Sequence, residues 1–247
     1  MLQERPLSYH RALQSCDRGE LVRAKKTAGN LRIIGGMWRG RRVPVVELPG
    51  LRPTTDRIRE TLFNWLATEL AGARCLDLFA GTGVLGLEAL SRGAASCHFV
   101  EQQHSAATAL SQLLHVLEAG DRASVLQRDA LDLLGENSKR MPREHQQDAT
   151  ASGSRGMRSS AEEAQLLQTT GSKPGYDLLF LDPPFADSLL TRTMQLLDES
   201  QLLAENALIY VEYPVQQEPD FPGRWRPWRS KRSSAVVYEL YRRESAV

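Results

Sequence analysis

Leu76-Asp77-Leu78-Phe79-Ala80-Gly81-Thr82-Gly83-Val84-Leu85-Gly86 ends an apolar strand, turns on two glycines and opens a helix. Gly81 and Gly83 let the backbone turn tightly and approach a ligand with no Cβ in the way. The hexapeptide G-T-G-V-L-G fits the pattern G-x-G-x-x-G, but short glycine turns occur in many α/β proteins, so a plain packing turn stays open at this point. Residues on both sides of the turn extend the pattern. Arg74–Phe79 reads as a strand, Val84–Arg92 as a helix, Ser96–Val100 as a strand, His104–Ala119 as a helix and Ala123–Gln127 as a strand. Further on, Tyr176–Leu181 is an apolar strand, Ser188–Glu199 a helix, Ala207–Tyr213 a strand and Ala235–Tyr241 a closing strand. Strands that alternate with helices predict an α/β fold with a mostly parallel, doubly wound sheet.

Two acids refine the glycine turn. Asp77 stands four residues before Gly81, where a carboxylate repels a pyrophosphate but suits the cationic methionine end of S-adenosylmethionine. Glu101, at the end of the second strand, is placed to accept hydrogen bonds from both hydroxyls of a ribose. Arg128-Asp129-Ala130 follows the third strand, either beside an adenine amine or simply as a helix cap, since Asp favours N-caps.

Asp182-Pro183-Pro184-Phe185 sits at the carboxyl end of the strand Leu178-Leu179-Phe180-Leu181. An amine conjugated to an aromatic ring is a poor nucleophile because its lone pair is delocalised. Two acceptors aimed at its hydrogens, the Asp182 carboxylate and the Pro183 carbonyl, favour the pyramidal nitrogen and stabilise positive charge as it develops. Pro183 and Pro184 stiffen the loop so that the acceptors hold their aim, and Phe185 offers a face to a base drawn out of its stack. A sulfonium donor already carries an activated leaving group, so neither a metal nor a covalent nucleophile is expected.

On the amino-terminal side, Leu31–Ile34 and Val43–Val46 flank a Gly- and Arg-rich turn, the pattern of a β-hairpin. Leu51-Arg52-Pro53 leads into Thr54-Thr55-Asp56, N-cap chemistry for a helix whose Ile58, Leu62, Trp65 and Leu66 face a core. On that helix Arg57, Glu60 and Asn64 share another face. Residues 1–28 are polar and without periodicity, a flexible extension preceding a catalytic domain of residues 29–247, with the hairpin at 29–50. Residues 136–175 are poor in large apolar side chains and read as a disordered or loosely helical insertion between two strands of one sheet.

The formal net charge is +1, but residues 1–42 hold ten Lys or Arg against three acids, and residues 224–243 hold seven against one. Basic ends on a more acidic centre suit a polyanion docking along one side, and equally suit ends that are merely soluble tails. Cys16, Cys75 and Cys97 lack metal-ligand spacing and imply no disulfide, which fits a reducing cytoplasm. The five histidines are scattered, no apolar run approaches the roughly 18 residues of a membrane span, and the first 30 residues lack a secretory apolar core.

With these residues in hand, the sequence resembles the bacterial 16S ribosomal RNA (guanine(966)-N(2))-methyltransferases from about Arg32 to Arg243. The likeness rests on R-I-I-G-G-M-W-R-G-R-R, L-R-P-T-T-D-R-I-R-E-T-L-F-N-W-L, F-A-G-T-G-V-L-G-L-E-A-L-S-R-G-A and L-D-P-P-F. The second stretch is the specific one, because the turn and D-P-P-F are shared by many amino-methyltransferases. The resemblance implies a class I S-adenosylmethionine-dependent methyltransferase fold, Rossmann-like, with a seven-stranded sheet, a reversed last strand and an N-terminal hairpin extension. It implies S-adenosylmethionine as cofactor and, as partner, 16S rRNA within the small ribosomal subunit or an assembly intermediate, met by a cytoplasmic monomer. Residue by residue, Asp77, Phe79, Ala80, Gly81, Thr82 and Gly83 would line the cofactor site, with Glu101 on the ribose and Asp129 and Ala130 near the adenine. Asp182 and Pro183, stiffened by Pro184, would hold the target amine and Phe185 would stack on the guanine. Arg32, Trp38, Arg39, Arg41 and Arg42 would meet RNA, Arg52, Thr54 and Arg57 would border the site, and Lys231 would add to a basic rim. The long insertion and the N-terminal tail depart from the family's compact form.

Three other readings remain open on the residues alone. A methyltransferase for adenine N6 in DNA or for another RNA guanine would share the pocket, and only L-R-P-T-T-D-R argues against it. An NAD-dependent oxidoreductase would use the glycine turn but leaves D-P-P-F unexplained. A non-catalytic RNA-binding assembly factor has no need of Asp77, Glu101 and Asp182 together.

Overall fold

The computed structural model describes residues 30–44, 55–138, 175–184 and 188–244. The expected extension (1–28) and nearly all of the expected insertion lie outside the described residues. So do Arg52, Thr54 and Phe185 among the expected site residues.

The N-terminal hairpin is present as β1 (Asn30–Arg32) paired antiparallel with β2 (Arg42–Pro44), separate from the main sheet. Helix α1 (Asp56–Trp65) is capped by Thr55, whose side chain accepts the Ile58 N–H. Then come β3 (Arg74–Asp77), α2 (Val84–Ser91), β4 (Ser96–Glu101) and α3 (His104–Val116). These are followed by β5 (Ala123–Gln127), α4 (Ala130–Ser138), β6 (Tyr176–Leu181) and α5 (Leu189–Glu199). The chain ends in β7 (Leu203–Pro214), β8 (Trp225–Arg232) and β9 (Val236–Arg243).

Seven strands form one sheet in the order β5-β4-β3-β6-β7-β9-β8. The first five are parallel, and β9 runs against both β7 and β8. This is the seven-stranded sheet with a reversed last strand that the resemblance implies. Successive strand residues point to opposite faces, and both faces are covered. Cys75, Phe99, Phe180 and Tyr210 pack with α1, α2 and α3 on one side, where Ile33, Trp38 and Val43 of the hairpin join them. Leu76, Val100, Leu179 and Val211 pack with Leu134 of α4 and Met194 of α5 on the other. Two-sided burial explains why these strands read as continuous apolar runs rather than alternating ones.

Two elements escaped the sequence. Helix α4 runs to Ser138, three residues into the expected insertion. Strand β8, W-R-P-W-R-S-K-R, carries a proline and four basic residues and is not among the strands read from the sequence. It is an edge strand with a register shift between Pro227 and Arg229. An edge tolerates Pro and solvated cations that an interior strand would not.

Candidate active site

The chain leaves β3 outward to β4 and β5, then crosses back to β6 on the other side of β3. This reversal opens a crevice at the carboxyl ends of β3 and β6, the place where open α/β sheets bind ligands. The glycine turn follows β3 and the D-P-P segment follows β6, so the two motifs border the same crevice from adjacent strands. Asp77 is the register partner of Phe180, and the Leu78 N–H donates to the Phe180 carbonyl at 3.2 Å. Asp182, two residues beyond, therefore stands level with Phe79 across a strand spacing of about 4.8 Å. Roughly a hundred residues separate the motifs in the chain, and one strand spacing separates them in the fold.

The turn is held by its own backbone and by Glu101. Gly81 and Gly83 adopt left-handed φ of 52° and 72°, and the Gly83 N–H donates to the Ala80 carbonyl at 2.6 Å. Glu101, 8% exposed, accepts the Gly81 N–H at 2.8 Å through Oε2 and the Gln103 N–H at 2.6 Å through Oε1. Each carboxylate oxygen has two lone pairs, so these bonds fix the side chain without exhausting it. Asp77 is buried and accepts the Gly86 N–H at 3.1 Å. Burial pushes its carboxyl up to about 7; the Gly86 N–H pulls the other way and the nearby Glu101 charge adds to the rise. A buried acid so placed gains most from a cationic partner, and Asp77 with Glu101 forms a pair of hydrogen-bond acceptors suited to an ammonium and a ribose. Phe79, Gly81 and Thr82 are half-buried around the turn, whereas Ala80, Gly83 and Ala130 are buried. Asp129 caps α4, its Oδ1 accepting the Leu131 N–H at 2.8 Å and the Asp132 N–H at 3.1 Å. Of its two expected roles, the cap is the one present in the geometry.

On the acceptor side Asp182 is half-buried, Pro183 buried and Pro184 exposed. Arg32, Arg39, Arg41 and Arg42 of the hairpin, Arg57 of α1 and Lys231 of β8 are exposed. Trp38 differs from its expected place. It is 6% exposed and belongs to the core, with the Arg122 guanidinium 5.5 Å over its ring. Its indole is a packing element and has no open face to offer RNA, because the hairpin loop folds back onto α2.

That docking depends on residues whose role the sequence did not reveal. Glu88 of α2, fully buried, accepts the Ile34 N–H at 2.8 Å and the Gly35 N–H at 2.7 Å. The Arg92 Nε donates to the same carboxylate at 2.7 Å, and the Arg59 guanidinium lies 3.5 Å from it. Arg59, also fully buried, donates to the Arg32 carbonyl at 3.0 Å and to the Asp56 carboxylate at 2.5 Å. Ser91 Oγ accepts the Trp38 N–H at 2.9 Å and donates to the Gly35 carbonyl at 2.6 Å. Gly36 has φ +77°, and a Cβ there would fall 1.8 Å from the Ser91 carbonyl oxygen, so glycine alone permits the approach. A pair of three-residue strands is not stable by itself; α2 sets its position. The available signal was one acid inside the apolar helix V-L-G-L-E-A-L-S, because a charge buried without partners is too costly to persist.

The model of the family described as "Conserved hypothetical protein 95" matches residues 31–146 and 143–242. Ribosomal RNA small subunit methyltransferase D of Escherichia coli (strain K12) is 41% identical over 219 residues, 88% of this chain and 92% of that protein. The protein of the same name from Haemophilus influenzae is 36% identical over 221 residues, 89% of this chain and 97% of that protein. The solved structure of yhhF from Escherichia coli superposes with a TM-score of 0.67 at 38% identity, covering 87% of this chain and 99% of that one.

Proposed function

This chain belongs to the family described as Conserved hypothetical protein 95, and from that membership we propose that it methylates the exocyclic N2 amine of a guanine in small-subunit ribosomal RNA, the guanine numbered 966 in the 16S chain. It is an rRNA methyltransferase with S-adenosylmethionine as methyl donor. The oxidoreductase reading of the glycine turn falls with that activity. The observation that carries the finer reading is the meeting of the Asp77–Gly83 turn and Asp182-Pro183 across one strand spacing at the sheet's switch point. No described helix is long and apolar enough to cross a membrane. The reading has the protein act as a cytoplasmic monomer on the small subunit or its assembly intermediate.

Asp77 would pair with the cofactor's ammonium and Glu101 with its ribose, while the turn from Phe79 to Gly83 and the rim at Asp129-Ala130 would enclose the rest. When bound, the cofactor supplies a methyl group on a sulfonium, an activated leaving group. The residues of the chain then position and polarise the acceptor. Asp182 and the Pro183 carbonyl take hydrogen bonds from the two amine hydrogens, which localises the nitrogen lone pair for in-line attack. On accepting the methyl group the nitrogen would gain positive charge, which the adjacent Asp182 carboxylate would stabilise. One amine proton then leaves through that carboxylate to water. Pro183 and Pro184 keep the acceptors aimed. The exposed arginines of the hairpin neutralise RNA phosphate, a contribution that weakens with salt.

The decisive test is chemical. In RNA from cells lacking the gene, mass-spectrometric mapping is expected to find one N2-methylguanine missing from the small-subunit RNA and restored by the wild-type gene. An unaltered set of methylguanines would defeat the reading.

Glu88→Gln supplies a separate check on the hairpin. It removes one charge from a buried cluster and leaves Arg59 with less compensation, a class of change that costs several kcal/mol. The expected result is a lowered unfolding midpoint, weaker RNA binding and a flatter dependence of that binding on salt, since Arg39, Arg41 and Arg42 would lose their fixed position. Calorimetric affinity for S-adenosylmethionine should be unchanged. RNA binding with an unaltered salt slope would show that docking on α2 does not set where the hairpin meets RNA.

A further inference from the structure

Methyl transfer by Asp182 and Pro183 leaves a buried carboxylate on the acceptor side unused. Glu212 lies in β7, the strand next to β6, and is 6% exposed. Phe180 is the register partner of Tyr210, and Leu181 of Val211. The next level of the same ladder therefore sets Asp182 beside Glu212, with backbones about 4.8 Å apart. Alternation gives both acids the face that Phe180 and Tyr210 occupy, where those rings meet edge-on at 6.4 Å. Glu212 is held in place, because the Tyr210 hydroxyl donates to its Oε2 at 2.8 Å. Burial, then the charge of Glu212, then that of Asp182, push the Tyr210 phenol well above its ordinary range. The hydroxyl thus remains a donor, and both carboxylates lie close enough to act on it.

Gripping an amine asks for two acceptors, and Asp182 with the Pro183 carbonyl already supplies them. A further carboxylate at the same level has a different use. The edge of guanine that bears the N2 amine also presents the N1–H, so two donors stand side by side. In adenine the ring nitrogen beside the amine carries a lone pair instead. An ionised carboxylate can only accept, so it welcomes the first pattern and repels the second.

We propose that Glu212 is the specificity-determining residue of the acceptor pocket, taking the guanine N1–H while Asp182 and Pro183 hold the N2 amine. The assignment rests on the guanine-N2 reading and deepens it. Tyr210 is its positioning residue. A purine with an amine beside an unprotonated ring nitrogen would bring its lone pair against the Glu212 carboxylate and be excluded. Sites built to bond a substrate N–H or O–H reject analogues lacking it by large factors, about 10⁴-fold in strong cases.

The test uses 2-aminopurine, which keeps the exocyclic amine at C2 but has a lone pair at N1. Small subunits are reconstituted with RNA carrying guanine or 2-aminopurine at the target position, and kcat/KM for methyl transfer is measured on each. The wild type should prefer guanine by about 10²-fold or more. In Glu212→Gln, whose carboxamide can accept from guanine or donate to 2-aminopurine, that preference should shrink by about 10-fold or more, with cofactor affinity unchanged as a check on folding. The wild-type arm stands without any variant: equal transfer to the two bases would overturn the assignment. So would guanine transfer with the same preference in wild type and variant, and that result would leave the N2 reading intact. Absence of transfer to guanine by the wild type would overturn the N2 reading and, with it, the role of Glu212.

Discussion

Replacing Asp182 by alanine should lower the turnover of methyl transfer by about 10²-fold or more while cofactor affinity stays as it was. The size follows from the kind of interaction lost, since removing one preorganised partner of developing charge costs about 10²–10³ in kcat. The alanine protein also loses the acceptor that localises the amine lone pair, and the Pro183 carbonyl alone can hold one hydrogen at most. RNA binding should change little, because the arginines proposed to meet phosphate are exposed side chains of the hairpin and α1, and Asp182 is not among them. Asp182→Asn separates charge from hydrogen bonding. Its carboxamide oxygen still accepts, so it should recover part of the turnover if aiming matters and little if the negative charge dominates. Single-turnover kinetics with calorimetry of cofactor binding would read both quantities. Turnover near that of the wild type in Asp182→Ala would remove this residue from the mechanism.

The second large effect is expected at Asp77, where function and stability should part. Asp77→Asn should weaken S-adenosylmethionine binding by about 10- to 100-fold, the worth of a charge-assisted hydrogen bond. It should also make the free protein more stable above neutral pH. Burial raises the Asp77 carboxyl from 3.8 to about 7 in the folded protein. A group raised in this way favours folding fully only below its ordinary value, and the benefit is lost as pH climbs through about 7. Above that the fold carries a buried charge that asparagine would not. At pH 8 the variant's unfolding midpoint should exceed the wild type's, by about 2–4 °C for each kcal/mol relieved in a chain of this size. Cofactor binding supplies the complementary pH signature. Because the carboxylate must be ionised to pair with an ammonium, wild-type affinity should fall toward about tenfold per pH unit below 7, and that dependence should vanish in Asp77→Asn. A variant less stable than the wild type at pH 8, together with an unchanged pH profile of binding, would argue that Asp77 is ionised and paired within the fold itself.

Much of this fold was legible in the chain. Strands buried on both faces leave near-continuous apolar runs, as in Tyr176–Leu181, and the helices between them keep their own period, so the alternation could be read directly. Local chemistry could be read too. Thr55 caps α1, the glycines turn after β3 and Asp129 sits where helix caps sit. Positions whose role depends on a distant partner were less visible. Trp38 looks like a stacking surface in a basic loop and proves to be core, because Gly36 lets that loop close on Ser91. Strand β8 was hidden because edge position excuses a composition that local propensity rejects.

Glu88 and Glu212 mark the boundary between the two kinds of knowledge. Each shows in the sequence as a lone acid within an apolar helix or strand, which says that a partner must exist but not what it is. Residue type, period and motif are local properties, carried by a few neighbours along the chain, and from them came the α/β alternation, the glycine turn and the D-P-P acceptors. Strand order and register are collective. They alone put Asp77 beside Phe180 and Asp182 level with Glu212. Hydrogen bonds and charges act over a few ångströms of space irrespective of the length of chain between them, so the tertiary structure alone decided which acids meet.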